Sequence, residues 1–177
     1  RPDVTIDEAL ENIDIGGPTL LRAAAKNYPH VVVVVDPDDY GWIAQRLRGT
    51  DKSEKGKGII SVEERKKLAQ KAFQHVALYD TSIAQYLRAG EAIHKEELTL
   101  GYVKLNDLRY GENPHQDASV FVDPMDSGGI VRGKRLHGID MSYNNILDAE
   151  AAWMAVSDFS DQAVAVVKHM NPCGLAV

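Results

Sequence analysis

Two titratable side chains, Lys168 and His169, follow a run of branched apolar residues near the end of this 177-residue chain. The run from Ala163 to Val167 predicts a buried strand, and ligands of α/β proteins collect beyond the carboxyl ends of strands. A lysine ammonium opposes a second positive charge, so it favours the neutral imidazole that can accept a proton. The pair therefore predicts a general base at the end of the strand, leading into a loop at 171–174, and the alternative is a strand end that exits to solvent.

A second polar segment, residues 108–116, reads Leu-Arg-Tyr-Gly-Glu-Asn-Pro-His-Gln. The guanidinium of Arg109 has the fork geometry that suits a phosphate, and the ring of Tyr110 can stack on a heterocycle. Amide and imidazole side chains follow on a turn shaped by glycine and proline. The segment predicts a nucleotide-binding loop, and a polar connector is the alternative.

Three further groups of residues could bind a ligand or transfer a proton, but each also has a purely structural interpretation. Asp14 and the glycines at 16–17 precede a predicted helix, whose N-terminal backbone N–H groups can hold an anion. Lys26 lies at the far end of that helix, where lysines are also common as solvated partners of the helix dipole. The segment Ser142–Asn145 precedes another helix and is either a cap alone or an amide that reads a base or carboxamide.

The elements that must position these residues follow from propensity and periodicity. Helices are predicted from a cap at Thr5 to Asn12, over 20–26 and, after the break at Asp36–Asp39, over 40–47. The run His30 to Val35 is continuously β-branched after its histidine, which is typical of a strand buried on both faces. This helix–strand–helix order predicts an α/β fold with a parallel sheet.

The remaining chain alternates between helix and strand signals. Ser61 and Glu64 form a capping-box pattern at the start of a long helix that we expect to reach Leu87, with a possible break at 80–82. An exposed loop is predicted before this helix and an end at Ala89–Gly90 after it. The later elements are strands over 98–105 and 120–122, a loop over 123–129 and a helix over 147–159. A domain boundary near residues 97–101 gives domains 1–100 and 101–177.

Composition excludes several classes of protein. The net charge is −6 and no long basic patch stands out, so we expect no nucleic-acid partner. The single cysteine, Cys173, rules out an internal disulfide framework, and no apolar run reaches the length of a membrane span. Zinc-ligand spacing, a dinucleotide fingerprint and a Walker A loop are absent from the sequence. Because the chain opens on Arg1 and closes at Val177 directly after a motif, we expect an excised segment of a longer chain.

Four segments together resemble the bifunctional AICAR transformylase/IMP cyclohydrolase family. They are Ile-Asp-Ile-Gly-Gly-Pro-Thr-Leu-Leu-Arg-Ala-Ala-Ala-Lys-Asn at 13–27, the segment at 108–116, Ser-Tyr-Asn-Asn-Ile-Leu-Asp-Ala at 142–149 and Lys-His-Met-Asn-Pro-Cys-Gly at 168–174. They occur in the order found in that family, and the resemblance covers nearly the whole chain.

The resemblance implies a homodimer with two domains in each chain. Residues 1–100 would be the C-terminal part of a methylglyoxal-synthase-like parallel-sheet domain that cyclises FAICAR to IMP. In that domain it implies that Asp14 and the Ile15 backbone bind the nucleotide and that Lys26 donates or accepts the proton of ring closure.

Residues 101–177 would begin a cytidine-deaminase-like α/β domain that transfers a formyl group from 10-formyltetrahydrofolate to AICAR. The resemblance implies that Arg109 lies near the AICAR phosphate and that Tyr110 and Asn145 also bind AICAR. It makes His169 the proton acceptor, assisted by Lys168.

The resemblance also implies a cytoplasmic enzyme acting on AICAR, FAICAR and IMP. We expect no metal, because the sequence has no ligand set for one in spite of the deaminase-like fold. Other segments of both sites, including the folate contacts, are expected outside these residues, so the chain alone should have little of either activity. The alternative function is a non-catalytic nucleotide-binding or dimerisation module.

Overall fold

The computed structural model describes residues 4–48, 60–88 and 97–177. The chain divides into two compact units, Arg1–Thr99 and Leu100–Val177. Helices alternate with extended segments and two small sheets, which gives an α/β chain. In the parts of the chain that the structure describes, no helix has both the length and the apolar character to cross a membrane.

The first unit is built from helices around a short extended segment. Its elements are α1 (Ile6–Glu11), α2 (Gly16–Lys26), a 3-10 turn (Pro37–Asp39), α3 (Tyr40–Arg48) and α4 (Val62–Leu87). Helix α2 packs along α4, with Ala25 buried against Ala69 and Ala72 at their contact. Small side chains at this contact let the two helix backbones approach closely. The predicted helices of this unit are confirmed, with their ends shifted by a few residues.

Helix α4 begins where the sequence predicts, at a capping box. The Ser61 hydroxyl accepts a hydrogen bond from the backbone N–H of Glu64 (3.1 Å), and the Glu64 carboxylate accepts one from Ser61 N (2.8 Å). The predicted break at 80–82 is wrong, because α4 runs unbroken to Leu87 and Ser82 donates its hydroxyl to Leu78 O within the helix (2.9 Å). The predicted loop at 49–58 and the predicted helix end at Ala89–Gly90 lie outside the described residues.

The valine run at 31–35 is extended but is not a strand. Val33 and Val35 contact one apolar cluster, around Ala25 and Ala72, while Val34 contacts a second cluster around Ile43 and Leu68. This alternation follows from the extended backbone, which points successive side chains in opposite directions. The predicted buried strand is therefore corrected to an extended segment, since no described residue pairs with it as a neighbouring strand. Helices, rather than a sheet, bury its side chains.

The second unit contains two small sheets and one long helix. Its elements are β1 (Val103–Asp107), β2 (Ser119–Val122), a 3-10 turn (Ile130–Arg132), α5 (Tyr143–Ser157), β3 (Val164–Lys168) and β4 (Asn171–Ala176). Strands β1 and β2 pair antiparallel with a bulge between Lys104 and Asn106. Strands β3 and β4 also pair antiparallel, and α5 packs against both of them.

The parallel sheet was predicted from the first unit, but both sheets of the described residues are antiparallel pairs of the second unit. Two expectations for the second unit also change. Strand β3 is only half buried, because its Val164 and Val166 side chains are exposed while the alternate ones pack inwards. The loop expected at 171–174 is part of strand β4, which turns back and pairs antiparallel with β3.

Candidate functional site

The N-terminus of α5 is a rigid point in the second unit. Ser142 is buried, with 1% of its surface exposed, and its hydroxyl accepts a hydrogen bond from Asn145 N (3.4 Å). The side-chain oxygen of Asn145 accepts in return from Ser142 N (3.1 Å) and Ser142 Oγ (3.0 Å). The carbonyl half of the Asn145 amide therefore serves the cap, and the Nδ2 half is the part of the side chain that can donate to a ligand.

The loop at 108–116 is fastened to this helix end. The backbone N–H of Tyr143 donates to Tyr110 O (3.1 Å), and Asn144 Nδ2 donates to Glu112 O (3.0 Å). These bonds join two of the four motif segments. Because two hydrogen bonds attach the loop to the N-terminus of α5, the loop backbone is held in place and is not a free connector.

The turn inside this loop needs a glycine. The backbone N–H of Gly111 donates to Gln116 O (2.8 Å), and Asn113 N donates to Gln116 Oε1 (2.9 Å). Gly111 is buried, and a β-carbon there would lie 3.1 Å from the Gln116 β-carbon. The absence of a side chain at Gly111 therefore lets the two arms of the turn close.

The third motif of the second unit is a two-residue hairpin. His169 and Met170 lie between β3 and β4 with φ of 52° and 61°, and the residues on either side, Lys168 and Asn171, pair across the turn. Two central residues with positive φ are typical of a type I′ turn, which normally takes asparagine or glycine. Residues other than glycine hold this conformation only when their surroundings impose it. The tip that carries His169 is therefore a constrained feature of the backbone.

A cavity of about 540 Å³ joins the three motif segments of this unit. Its lining comes from 108–116, from the first turns of α5 and from the hairpin tip: Glu112, Asn113, Tyr143, Asn144, Leu147, Asp148, His169 and Met170. The volume lies in the range of small-molecule sites, roughly 300–1,000 Å³. His169 is thus the one predicted catalytic residue of this unit that lines the cavity.

The other predicted site residues of this unit, Arg109, Tyr110, Asn145 and Lys168, lie outside that lining. The Arg109 guanidinium stacks 4.9 Å from the centroid of the Tyr110 ring, and its Nη2 donates to the Tyr110 hydroxyl (3.3 Å). Stacking leaves other donors of the exposed guanidinium open to an anion. Lys168 ends β3 with its side chain exposed.

In the first unit, Asp14 occupies the N-terminus of α2. Its carboxylate accepts a hydrogen bond from Gly17 N (3.0 Å), and its own N–H donates to the hydroxyl of Tyr79 on α4 (2.8 Å). The charge at this helix end is therefore that of the protein's own carboxylate, which repels a second anion. Anion binding by the remaining backbone N–H groups of this N-terminus stays a prediction. A small cavity of about 120 Å³ adjoins Asp14, between α2 and α4.

Lys26 does not join Asp14 and the neighbouring Ile15 in one compact site. Ile15 is 72% exposed, and Lys26 is the exposed last residue of α2. An eleven-residue helix spans about 16 Å, so Asp14 and Lys26 lie at opposite ends of it. Direct proton exchange between these two side chains within the unit is not supported by this separation.

Three charged side chains of the first unit form a structural cluster. Lys71 on α4 pairs with Asp36 (Nζ–Oδ2, 2.5 Å) and Asp39 (Nζ–Oδ2, 2.7 Å). The hydrogen bonds from Lys71 hold the pKa of each carboxyl below its ordinary value, and the two carboxylates raise the pKa of Lys71. This cluster ties the end of the valine segment to α4. None of its members belongs to a motif segment.

The sequence analysis noted the segments that contain Tyr143, Asn144 and Asp148 but gave none of the three its own site role, although all three line the larger cavity. A signal was available, because residues 144, 147 and 148 share one helix face at spacings of three and four. That face begins at the polar segment already noted at 142–145. Across residues 4–48, 60–88 and 97–177, no three His, Cys, Asp or Glu side chains group as metal ligands would.

The amino-acid sequence matches the model of a known protein family. The family model described as AICARFT/IMPCHase bienzyme matches residues 24–177. The chain belongs to the AICARFT/IMPCHase family. The match includes all three segments that meet at the larger cavity.

Relatives from several organisms are similar to the chain over its whole length. The chain is similar to the bifunctional purine biosynthesis protein of Dictyostelium discoideum, with 45% identity over 100% of the chain and 36% of that protein. It is 49% identical to the protein of that name from Anoxybacillus flavithermus and 46% identical to the one from Persephonella marina, covering 34% of each. The chain thus spans about a third of the length of these AICARFT/IMPCHase relatives.

Proposed function

We propose that this chain is the part of a bifunctional purine-biosynthesis enzyme that includes the junction between its two domains. The whole enzyme transfers a formyl group from 10-formyltetrahydrofolate to AICAR, giving FAICAR, and then cyclises FAICAR to IMP with loss of water. The observation that carries the proposal is the cavity at which segments 108–116, 142–149 and 168–174 meet, within a chain of this family.

In formyl transfer, the amine of AICAR forms a bond to the formyl carbon while the bond from that carbon to folate N10 breaks. The amine is a weak nucleophile, because its lone pair is delocalised toward the carboxamide. A base that takes its proton lowers the barrier, and we assign that role to His169. Lys168 would stabilise negative charge that develops on the formyl oxygen. Arg109 would bind the AICAR phosphate, with Tyr110 and Asn145 on the nucleotide.

In ring closure, the carboxamide nitrogen of FAICAR attacks its own formyl carbon and water leaves. Both reacting atoms belong to one molecule, so orientation supplies much of the rate enhancement. We assign the proton transfer to Lys26 and nucleotide binding to Asp14 and the Ile15 backbone. Because Asp14 and Lys26 lie at opposite ends of α2, these roles belong to different parts of a site or to two sites. A homodimer supplies a second copy of each end.

The two activities would divide between residues 1–100 and residues 101–177. The first would be part of a methylglyoxal-synthase-like parallel-sheet domain, and the second would begin a cytidine-deaminase-like domain. No metal enters either reaction as proposed. The enzyme would be a cytoplasmic homodimer.

The experiment compares wild-type full-length enzyme with His169→Ala in two measurements, AICAR binding by calorimetry and formyl transfer. We expect His169→Ala to bind AICAR with little loss and to lose transfer by about 100-fold or more, the contribution of a positioned base. His137→Ala, an exposed histidine elsewhere in the same unit, is the matched control and should retain both. Wild-type protein that binds AICAR and transfers no formyl group would instead be a nucleotide-binding module.

A further inference from the structure

We infer that Asp148 is a positioning residue for His169, which it holds through the backbone of the hairpin tip. The inference rests on the proposed function, because it assumes that His169 is the base. The two residues lie on different elements, α5 and the β3–β4 turn, and both line the same cavity.

The contact is made to one peptide group. The peptide that links His169 to Met170 donates its N–H to Asp148 Oδ1 (2.8 Å), and its carbonyl accepts a hydrogen bond from Asn171 Nδ2 (2.7 Å). With both ends held, the plane of this peptide cannot rotate freely. The direction of the Cα–Cβ bond of His169 depends on that plane, so the two bonds set where the imidazole points.

The turn requires such support. His169 and Met170 both have positive φ, the conformation that glycine and asparagine adopt with least strain. Neither residue prefers it, so the strain must be offset from outside the turn. A hydrogen bond from an N–H to a carboxylate is stronger than one to a neutral carbonyl, and Asp148 supplies that carboxylate from the second turn of α5.

Asp148 is therefore the link between the cap of α5 and the tip that carries His169. The Ser142–Asn145 box fixes the start of the helix, and the 108–116 loop is fastened to the same turn. The hydrogen bond from Met170 N to Asp148 Oδ1 attaches the third segment, 168–174, to the same helix. These contacts explain how three segments that are distant in sequence keep fixed positions around one cavity.

The test uses substitutions that separate a backbone-positioning role from a direct one, in the full-length enzyme. Asp148→Ala should lower kcat for formyl transfer by about 10- to 100-fold with little change in KM for AICAR, the scale expected of a displacement near 1 Å. Asp148→Asn keeps an oxygen acceptor and should retain most activity. Met170→Gly in the Asp148→Ala background should restore kcat, because glycine adopts the turn without support. Asp158→Ala, at the other end of α5, is the charge-matched control and should have no effect.

Amide hydrogen exchange at Met170 gives a readout that does not depend on activity. Asp148→Ala should raise the exchange rate of this amide, whereas Asp158→Ala should not. Full activity of Asp148→Ala would overturn the inference, and so would an activity loss that Met170→Gly fails to restore in folded protein, since that indicates direct contact with substrate. If His169→Ala itself transfers formyl groups normally, the proposed function fails, and faster exchange at Met170 would still establish the hold on the turn.

Discussion

The carboxylate of Asp14 lies so close to Gly17 that a side chain at the glycine would displace it. Asp14 Oδ1 accepts the Gly17 N–H at 3.0 Å, and a β-carbon on Gly17 would overlap Asp14 Oδ2. The neighbouring Gly16 differs, because a β-carbon there would lie 4.0 Å from Asp14 Oδ1, an ordinary contact. These adjacent glycines therefore form a natural pair of test and control.

Gly17→Ala should break the hydrogen bond that Asp14 makes to the start of α2. Loss of a capping bond of this kind costs about 1 kcal/mol, so the first turn of α2 should exchange its amide hydrogens roughly fivefold faster. If Asp14 binds the nucleotide as proposed, KM for FAICAR should rise as well. Gly16→Ala should change neither quantity. Equal effects of the two substitutions would show that the Asp14 carboxylate is not held as the structure has it.

The Lys71 cluster predicts a pH dependence of stability. The lowered pKa values of Asp36 and Asp39 stabilise the fold above their ordinary value of 3.8, and this contribution is lost as the pH falls through the lowered pKa values. The raised pKa of Lys71 stabilises the fold below pH 10.5, its ordinary value, and this stabilisation is lost as the pH rises through the raised pKa. The contribution should therefore be largest between these limits.

Lys71→Met should lower the resistance of the first unit to urea between about pH 4 and pH 10, and the difference from wild type should shrink as the pH falls through the lowered pKa values of Asp36 and Asp39. Since the pairs are partly exposed, added salt should reduce the effect. Lys66→Met removes an equal charge from another face of α4 and is the control. A Lys71→Met variant with unchanged stability at pH 7 and low salt would contradict the cluster's structural role.

Ser142 and Asn145 share one capping box, but only Asn145 is proposed to touch AICAR. Ser142→Ala and Asn145→Ala should each weaken the start of α5 by about 1 kcal/mol. Asn145→Ala should in addition raise KM for AICAR, because its Nδ2 group is lost. Measuring KM for both variants separates the two roles. Equal KM values would reduce Asn145 to a cap, the alternative that its sequence context leaves open.

Local signals in the sequence predicted the helices well. They did not predict the structure of segments whose conformation depends on contacts with distant parts of the chain. Thr5 and Ser61 each cap a helix as predicted, and Ser142 caps α5, which was one of the two alternatives for its segment. The valine run at 31–35 misled, because a β-branched run becomes a strand only if another strand pairs with it.

The candidate site followed the same division. Segments 108–116, 142–149 and 168–174 were recognised as motifs, and the structure brings them to one cavity. The positive φ of His169 and Met170 could not be read from their residue types, because neither favours that conformation. The contact from Asp148 spans 22 residues, and no local spacing encodes it.

The most direct test assays both reactions of the full-length enzyme with wild type, His169→Ala and Lys26→Ala. We expect His169→Ala to abolish formylation of AICAR while FAICAR still cyclises to IMP, and Lys26→Ala to block cyclisation while formylation continues. Each variant thus controls for the folding of the other. If neither substitution changes either rate, or if both reactions fall together in folded protein, the assignment of two separate sites to this chain is contradicted.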